Sequence, residues 1–437
     1  MNTCNTKPAS EEKGKIDENP LSAWKRLLRT IGPGFITGAA DDDPSGIATY
    51  SQNGSMFGYG LMWAAPYSYP FMVAVQELCG RIGLVTGRGL SNIMRMHYPR
   101  VVLAGAVSLL VIANVVNIGA DLAAMAEAVR LFVPELPFTG LLLFITITIV
   151  LLEILVPYPQ YARLLKYMTL SLLAYVATAL VVHPQWGAIV HSLAVPHLEW
   201  SHAQMIALAA FLGTTISPYL FFWQADEEVE EEVEQGKIPD ANTITPKISR
   251  ADIRRMRTDT AFGMFFSQII TVCIIISVAA TLGANGFSSI NTAGDAAQAL
   301  RPLAGEFAYT LFALGIIGTG LLAIPVLAGS AGYAIAEAFG WSVGLGKRFG
   351  QARGFYVAIA LATAVGLFVN FVHIPPMIML YYSAVVNGVL APPLLIILIL
   401  IGNNKKILGK HTNSWISNLA LITITSVMAA VAISLLV

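Results

Sequence analysis

About eleven separate runs of roughly 20 apolar residues restrict this chain to very few folds. A helix needs about that many residues to cross the hydrocarbon core of a bilayer. The runs lie near 31–55, 59–80, 101–125, 138–156, 161–182, 203–225, 258–282, 306–337, 354–372, 376–401 and 414–437. Only 12% of the 437 residues are charged, about half the share of a soluble domain. The chain therefore reads as an all-α polytopic membrane protein. Its polar linkers are too short for a second folded domain, so residues 21–437 form one transmembrane unit behind a disordered tail at 1–20.

Lys and Arg accumulate on cytoplasmic loops. With the N-terminus inside, the inner segments collect Lys25, Arg26 and Arg29, then Arg81 to Arg100, Arg163 and Lys166, Lys237 to Arg257, and the basic residues after 345; the outer loops hold only Arg130 and Arg301. An odd number of spans leaves the C-terminus outside a multi-pass protein of the cell membrane. Residues 1–30 lack the short apolar run and small-residue cleavage site of a removable signal. Cys4, Cys79 and Cys273 are too scattered for a disulfide framework or thiolate cluster. The longest polar insertion, 226–257, is read as a cytoplasmic loop whose acidic start, Asp226 to Glu234, carries the sixth span onward into solvent. A cation-collecting antechamber is the alternative for that run.

Two spans are interrupted. In "GAADDDPSGIATYSQ", residues 38–52, Pro44 removes a backbone donor and disfavours helix at Asp43. Each carboxylate at the centre of a spanning helix costs about 2.5–3.5 kcal/mol. Asp41, Asp42 and Asp43 are therefore expected to face a wet cavity or a bound cation. In the sixth span, "TTISPY" brings Thr214, Thr215 and Ser217 beside Pro218, which frees the carbonyl of Thr214. Breaks at matching places in two halves point to an ion site at mid-membrane. Spans 1–5 and 6–10 would then be inverted repeats, with the eleventh appended.

These motifs carry a family resemblance. "GPGFITGAADDDPSGIATYSQNGSMFGYGLMW" resembles the first helix of the NRAMP divalent-metal transporters, "VQELCGRIGLVTGRGLSNIMRMHYP" their second helix and following loop, and "YARLLKYMTLSLLAYV" their fifth. The similarity runs from about residue 30 to 400. It implies a LeuT-type fold with helices 1 and 6 broken at mid-membrane, a metal site between them, and alternating access. Carried over, the family's aspartate ligand matches Asp43, but its asparagine falls on Gly46, its carbonyl-donating alanine on Thr214, its methionine on Ser217 and a histidine on Tyr219. A helix-ten glutamine aligns with Asn387; in helix three the proton-route aspartate matches Asp121, while a glutamate is replaced by Ala124.

The departures share a direction. A thioether favours transition metals, whereas carboxylate, carbonyl, hydroxyl and water suit hard ions. Ser217 removes the soft donor, and Gly46 is expected to enlarge the site for a partly hydrated ion. The pattern resembles the NRAMP-related magnesium transporter branch. The sequence thus leads to inward Mg²⁺ transport with weak or no proton coupling. Asp43, Thr214, Ser217 and Asn387 would be metal ligands. Asp41, Asp42, Gly46, Thr215, Tyr219 and Asp121 would line the pathway, with only one of Asp41 and Asp42 facing it because neighbouring helical side chains diverge. A proton-coupled Mn²⁺/Fe²⁺ importer is the first alternative, a non-transporting NRAMP-like sensor the second. Divalent cations as cargo and the bilayer are the partners expected, with no cofactor, nucleic acid or obligate protein partner. No zinc-protease, nucleophile-elbow or phosphate-loop motif argues for an enzyme.

Overall fold

A computed structural model of the chain describes residues 32–156, 172–286, 289–372 and 374–435. The expected tail at 1–20, the basic residues at 25–29, Arg163, Lys166 and the start of the fifth span lie outside the described residues. Within them the chain is helical, and seven helices are long and apolar enough to cross a membrane.

The first span is two helices, α1 (Pro33–Asp41) and α2 (Pro44–Phe57). Next come α3 (Ala64–Thr86), the short α4 (Leu90–His97), α5 (Arg100–Arg130), α6 (Phe138–Leu155), α7 (Leu173–Val181) and α8 (Trp186–Ala194). The sixth span is again two helices, α9 (His202–Thr215) and α10 (Pro218–Glu234). The second half follows as α11 (Arg250–Thr281), α12 (Ala293–Gln298), α13 (Arg301–Ala304), α14 (Ala308–Phe339), α15 (Arg353–Val369), α16 (Pro376–Gly402), α17 (Lys405–Leu408) and α18 (Trp415–Ser434).

Both breaks have one construction. Asp42 and Asp43 leave helical geometry between α1 and α2, as Ile216 and Ser217 do between α9 and α10. A proline then restarts each helix at its first position, where the missing N–H has no partner to lose. The broken helices lie inside the bundle: α1 packs on α10 and α11, and α2 on α9, α11 and α16. Helix α5 forms a second wall, packed against α14, α15 and α16.

Glycine lets backbones meet at two of these contacts. A Cβ at Gly213 of α9 would collide with the Ala384 carbonyl and the Gly388 backbone of α16; one at Gly38 of α1 would strike the Gly263 backbone of α11. Small residues permit such close crossings in membranes. At its start α1 is held by Asp259 of α11, whose carboxylate accepts from the N–H groups of Gly32, Gly34 and Phe35 at 3.0, 2.8 and 3.3 Å. Those donors have no partner within the helix.

The polar insertion follows its sequence reading in one respect: α10 continues through the acidic run to Glu234, and α11 begins at Arg250, so the irregular connection is 235–249. It differs in another, because the acidic start is not a solvated helix end. Asp226, Glu227, Glu228 and Glu232 are buried. Glu230 accepts from the Tyr333 hydroxyl and the Leu345 N–H, and Glu231 pairs with Arg255 at 2.8 Å. Packing by α3 and α14 against α10 covers the run, which charge alone does not foretell.

Candidate metal-ion site

Asp43 is the N-cap of α2. Its Oδ1 accepts from the Gly46 N–H at 2.7 Å and the Ser45 hydroxyl at 2.6 Å. Its Oδ2 accepts from Asn117 Nδ2 at 2.9 Å, with the Tyr219 hydroxyl 3.5 Å away. Three donors therefore hold it, from Gly46, Ser45 and Asn117, because the one hydrogen of the Tyr219 hydroxyl goes to Ala40. No basic side chain is among them, so the charge is held by neutral dipoles from α2 and α5. A fully buried carboxylate is costly unless hydrogen-bonded or paired, and this one is hydrogen-bonded while keeping its full attraction for a cation.

Helix α9 brings the opposing oxygens. Pro218 has no N–H for the Thr214 carbonyl, and the Ser217 hydroxyl covers both that oxygen and the Gly213 carbonyl, at 2.8 Å each. The two breaks adjoin: a Cβ on Gly46 would lie 3.2 Å from Thr214 Oγ1 and 3.4 Å from the Tyr50 ring. The room expected at Gly46 is therefore occupied in part by the Thr214 side chain. Thr215 turns its hydroxyl back to the Phe211 carbonyl at 2.9 Å and acts within its own helix. Tyr219 also donates to the Ala40 carbonyl at 3.0 Å, closing the end of α1 over the site.

Asp41 and Asp42 depart from expectation. Both reach Ser267 of α11, at 2.7 and 3.3 Å. The helical divergence of neighbours does not apply because α1 ends at Asp41, and Asp42 adopts φ −84°, ψ 52°. Ser267 has one hydrogen for two carboxylates. Asp41 Oδ1 and Asp42 Oδ2 are buried without a hydrogen-bond partner among the described residues. Both oxygens of Asp121, one turn beyond Asn117 on α5, and both amide atoms of Asn387 on α16 are likewise buried and unpartnered there.

The structure thus brings Asp43, Thr214, Ser217, Gly46 and Tyr219 together, and sends Asp41 and Asp42 to α11. Among the described residues no three His, Cys, Asp or Glu side chains gather as a metal cluster. The donors at the breaks are instead carboxylates, carbonyls, hydroxyls and amides. Sequence reading missed Asn117, Ser267 and Ser383. Only Asn117 had a signal: Asn114, Asn117 and Asp121 fall on one face of an otherwise apolar helix.

Comparison with known proteins gives a consistent picture. The chain is 26% identical over 329 residues to "Divalent metal cation transporter MntH" of Aeromonas hydrophila, covering 73% of this chain and 75% of the relative. It is 27% identical over 328 residues to the MntH of Agrobacterium fabrum, covering 73% and 68%. Its fold resembles a crystal structure of the Eremococcus coleocola manganese transporter, with TM-score 0.70 at 16% identity over 97% of this chain and 89% of that one. It also resembles Mhp1, a nucleobase-cation-symport-1 family transporter of LeuT-type fold, with TM-score 0.58 at 12% identity over 93% and 91%. The model of the family described as "Natural resistance-associated macrophage protein-like" matches residues 34–437. A match of that length means that the chain belongs to the Nramp family.

Proposed function

We propose that this Nramp-type divalent metal cation transporter carries Mg²⁺ inward, partly hydrated, by alternating access with weak or no proton coupling. The metal is cargo, not a cofactor. The observation that carries the reading is the donor set at the two breaks, which is oxygen throughout. Asp43 would supply the one ligating charge, and Thr214 its carbonyl, which shares the single Ser217 hydroxyl hydrogen with the Gly213 carbonyl. Ser217 and Asn387 would bind directly or through water. Mg²⁺ keeps several waters and takes one or two carboxylates, and hard oxygens without sulfur suit it. Asp41, Asp42 and Ser267 would raise the local cation concentration from the α11 side. Asp121 remains a buried acid without Glu at position 124, where Ala124 stands, which supports weak coupling. The N-terminus is assigned to the cytoplasm from the charge bias.

Uptake into proteoliposomes tests this. Mg²⁺ should enter without acidifying the lumen, and excess Mg²⁺ should block Mn²⁺ entry. Mn²⁺ uptake that Mg²⁺ does not inhibit, and that a proton gradient drives, would establish the second reading. That reading, a proton-coupled Mn²⁺/Fe²⁺ importer, is favoured by the manganese transporter among the structural neighbours. A substitution separates the two from the other side. Ser217→Met adds a soft donor, and the preference for Mn²⁺ over Mg²⁺ should rise by about tenfold or more as a ratio of KM values.

A further inference from the structure

Asp43 Oδ2 accepts from the amide nitrogen of Asn117 at 2.9 Å, so a cation that approaches this oxygen meets an NH₂ group. We infer that this amide turns over when the cation binds and becomes an oxygen ligand of the metal. The inference rests on Asp43 being the carboxylate of the ion site. It adds a residue from a third element, α5, that sequence reading does not mark as a ligand.

The hydrogen bonds around Asn117 make the turn possible. Asn117 is fully buried. A carboxylate only accepts, so the amide nitrogen faces Asp43 Oδ2 at 2.9 Å. The amide oxygen accepts from Ser383 Oγ of α16 at 2.7 Å. That hydroxyl is also 2.7 Å from the Leu380 carbonyl of its own helix. It has one hydrogen for two acceptors and lone pairs to spare.

A divalent cation against Asp43 Oδ2 repels the positive edge of an amide NH₂ and attracts its carbonyl. A half-turn of the amide plane answers both. The oxygen then faces the metal, and the nitrogen donates to Ser383 Oγ. The serine hydrogen moves wholly onto the Leu380 carbonyl. Every polar atom of Asn117 and Ser383 has a partner in both arrangements, so the turn leaves no buried group unsatisfied, a defect that would cost about 1–3 kcal/mol. An Asp or Leu at 117 has no such pair of states, and a serine is the partner that can both donate and accept. The exchange also supplies a hard amide oxygen where Gly46 of α2 bears no side chain.

The test combines binding with a direct view of the amide. Wild type, Asn117→Ala, Asn117→Asp and Asp43→Asn are purified in detergent and titrated with Mg²⁺ by calorimetry. Infrared difference spectra, Mg²⁺-loaded minus metal-free, are recorded on protein labelled with ¹³Cγ-asparagine. The expected result has three parts. Asp43→Asn loses binding, Asn117→Ala weakens it about tenfold, and the wild-type spectrum shows a shifted asparagine carbonyl band that vanishes in the nearly isosteric Asn117→Asp. If Asp43→Asn loses binding but no carbonyl band assignable to Asn117 shifts, Asn117 merely holds Asp43 in place and the inference is overturned while the ion site stands. If Asp43→Asn binds like wild type, the ion site itself is misplaced and the inference falls with it. The wild-type spectrum decides the matter even if Asn117→Ala does not fold.

Discussion

Asp43→Ala is expected to lower divalent-metal uptake to the level of protein-free vesicles, with Mg²⁺ affinity falling by at least about 100-fold, roughly 2.8 kcal/mol. Asp43 carries a formal charge, and its partners are neutral donors. The chain should still fold. Losing an N-cap costs about 0.5–2 kcal/mol, but the substitution also removes a fully buried carboxylate that is expensive to hold. Asp43→Asn separates the two effects. It keeps an oxygen to accept from Gly46 and Ser45 and removes the charge together with the acceptor that faces Asn117, so it should be as inactive as alanine while melting closer to wild type. Calorimetric titration and a thermal melt of each variant in detergent decide the point. Uptake by Asp43→Asn at the wild-type rate would mean that the ion takes another route.

Gly213→Val should be the most damaging single change outside the ion site. The added Cβ would collide with the Ala384 carbonyl and the Gly388 backbone across the α9–α16 crossing. Backbone cannot yield as a flexible side chain does. Overpacking of this kind costs about 1–3 kcal/mol or more, and Gly213 directly precedes Thr214. The expected result is a large fall in thermal midpoint, or loss of monodisperse protein, with uptake lost in whatever folds. Gly105→Ala is the control: nothing lies within 4 Å of a Cβ there, so stability and uptake should stay at wild type. A Gly213→Val variant that melts and transports like wild type would show that α9 and α16 stand further apart than described.

Part of the site was legible because proline and aspartate act locally. Pro44 and Pro218 each stand at the first position of a new helix, after Asp43 and Ser217, so the breaks lie where the local residues place them. Proline alone does not decide it, since Pro70, Pro325, Pro392 and Pro393 lie within continuous helices. The adjacency of the two breaks was expected, and Thr214 beside Gly46 bears it out. Other features depend on side chains from distant segments. Asn117 is 74 positions from the aspartate it supports, and Ser267 is 226 from Asp41. No periodicity encodes those pairings. The acidic run of α10 misled for a related reason: Asp226 to Glu234 has the composition of a solvated face, yet Tyr333, Leu345 and Arg255 cover or pair it.

By itself the sequence determined that this is a multi-spanning helical membrane protein with two proline-broken helices and a buried aspartate. Hydropathy and backbone chemistry are local properties, readable residue by residue. Only the tertiary structure decided which oxygens meet. It turned Asp41 and Asp42 toward α11, left Asp43 to neutral donors from α2 and α5, and put the Thr214 hydroxyl beside Gly46. Those outcomes are set by how rigid helices pack, and packing is a property of pairs of segments that neither segment contains alone.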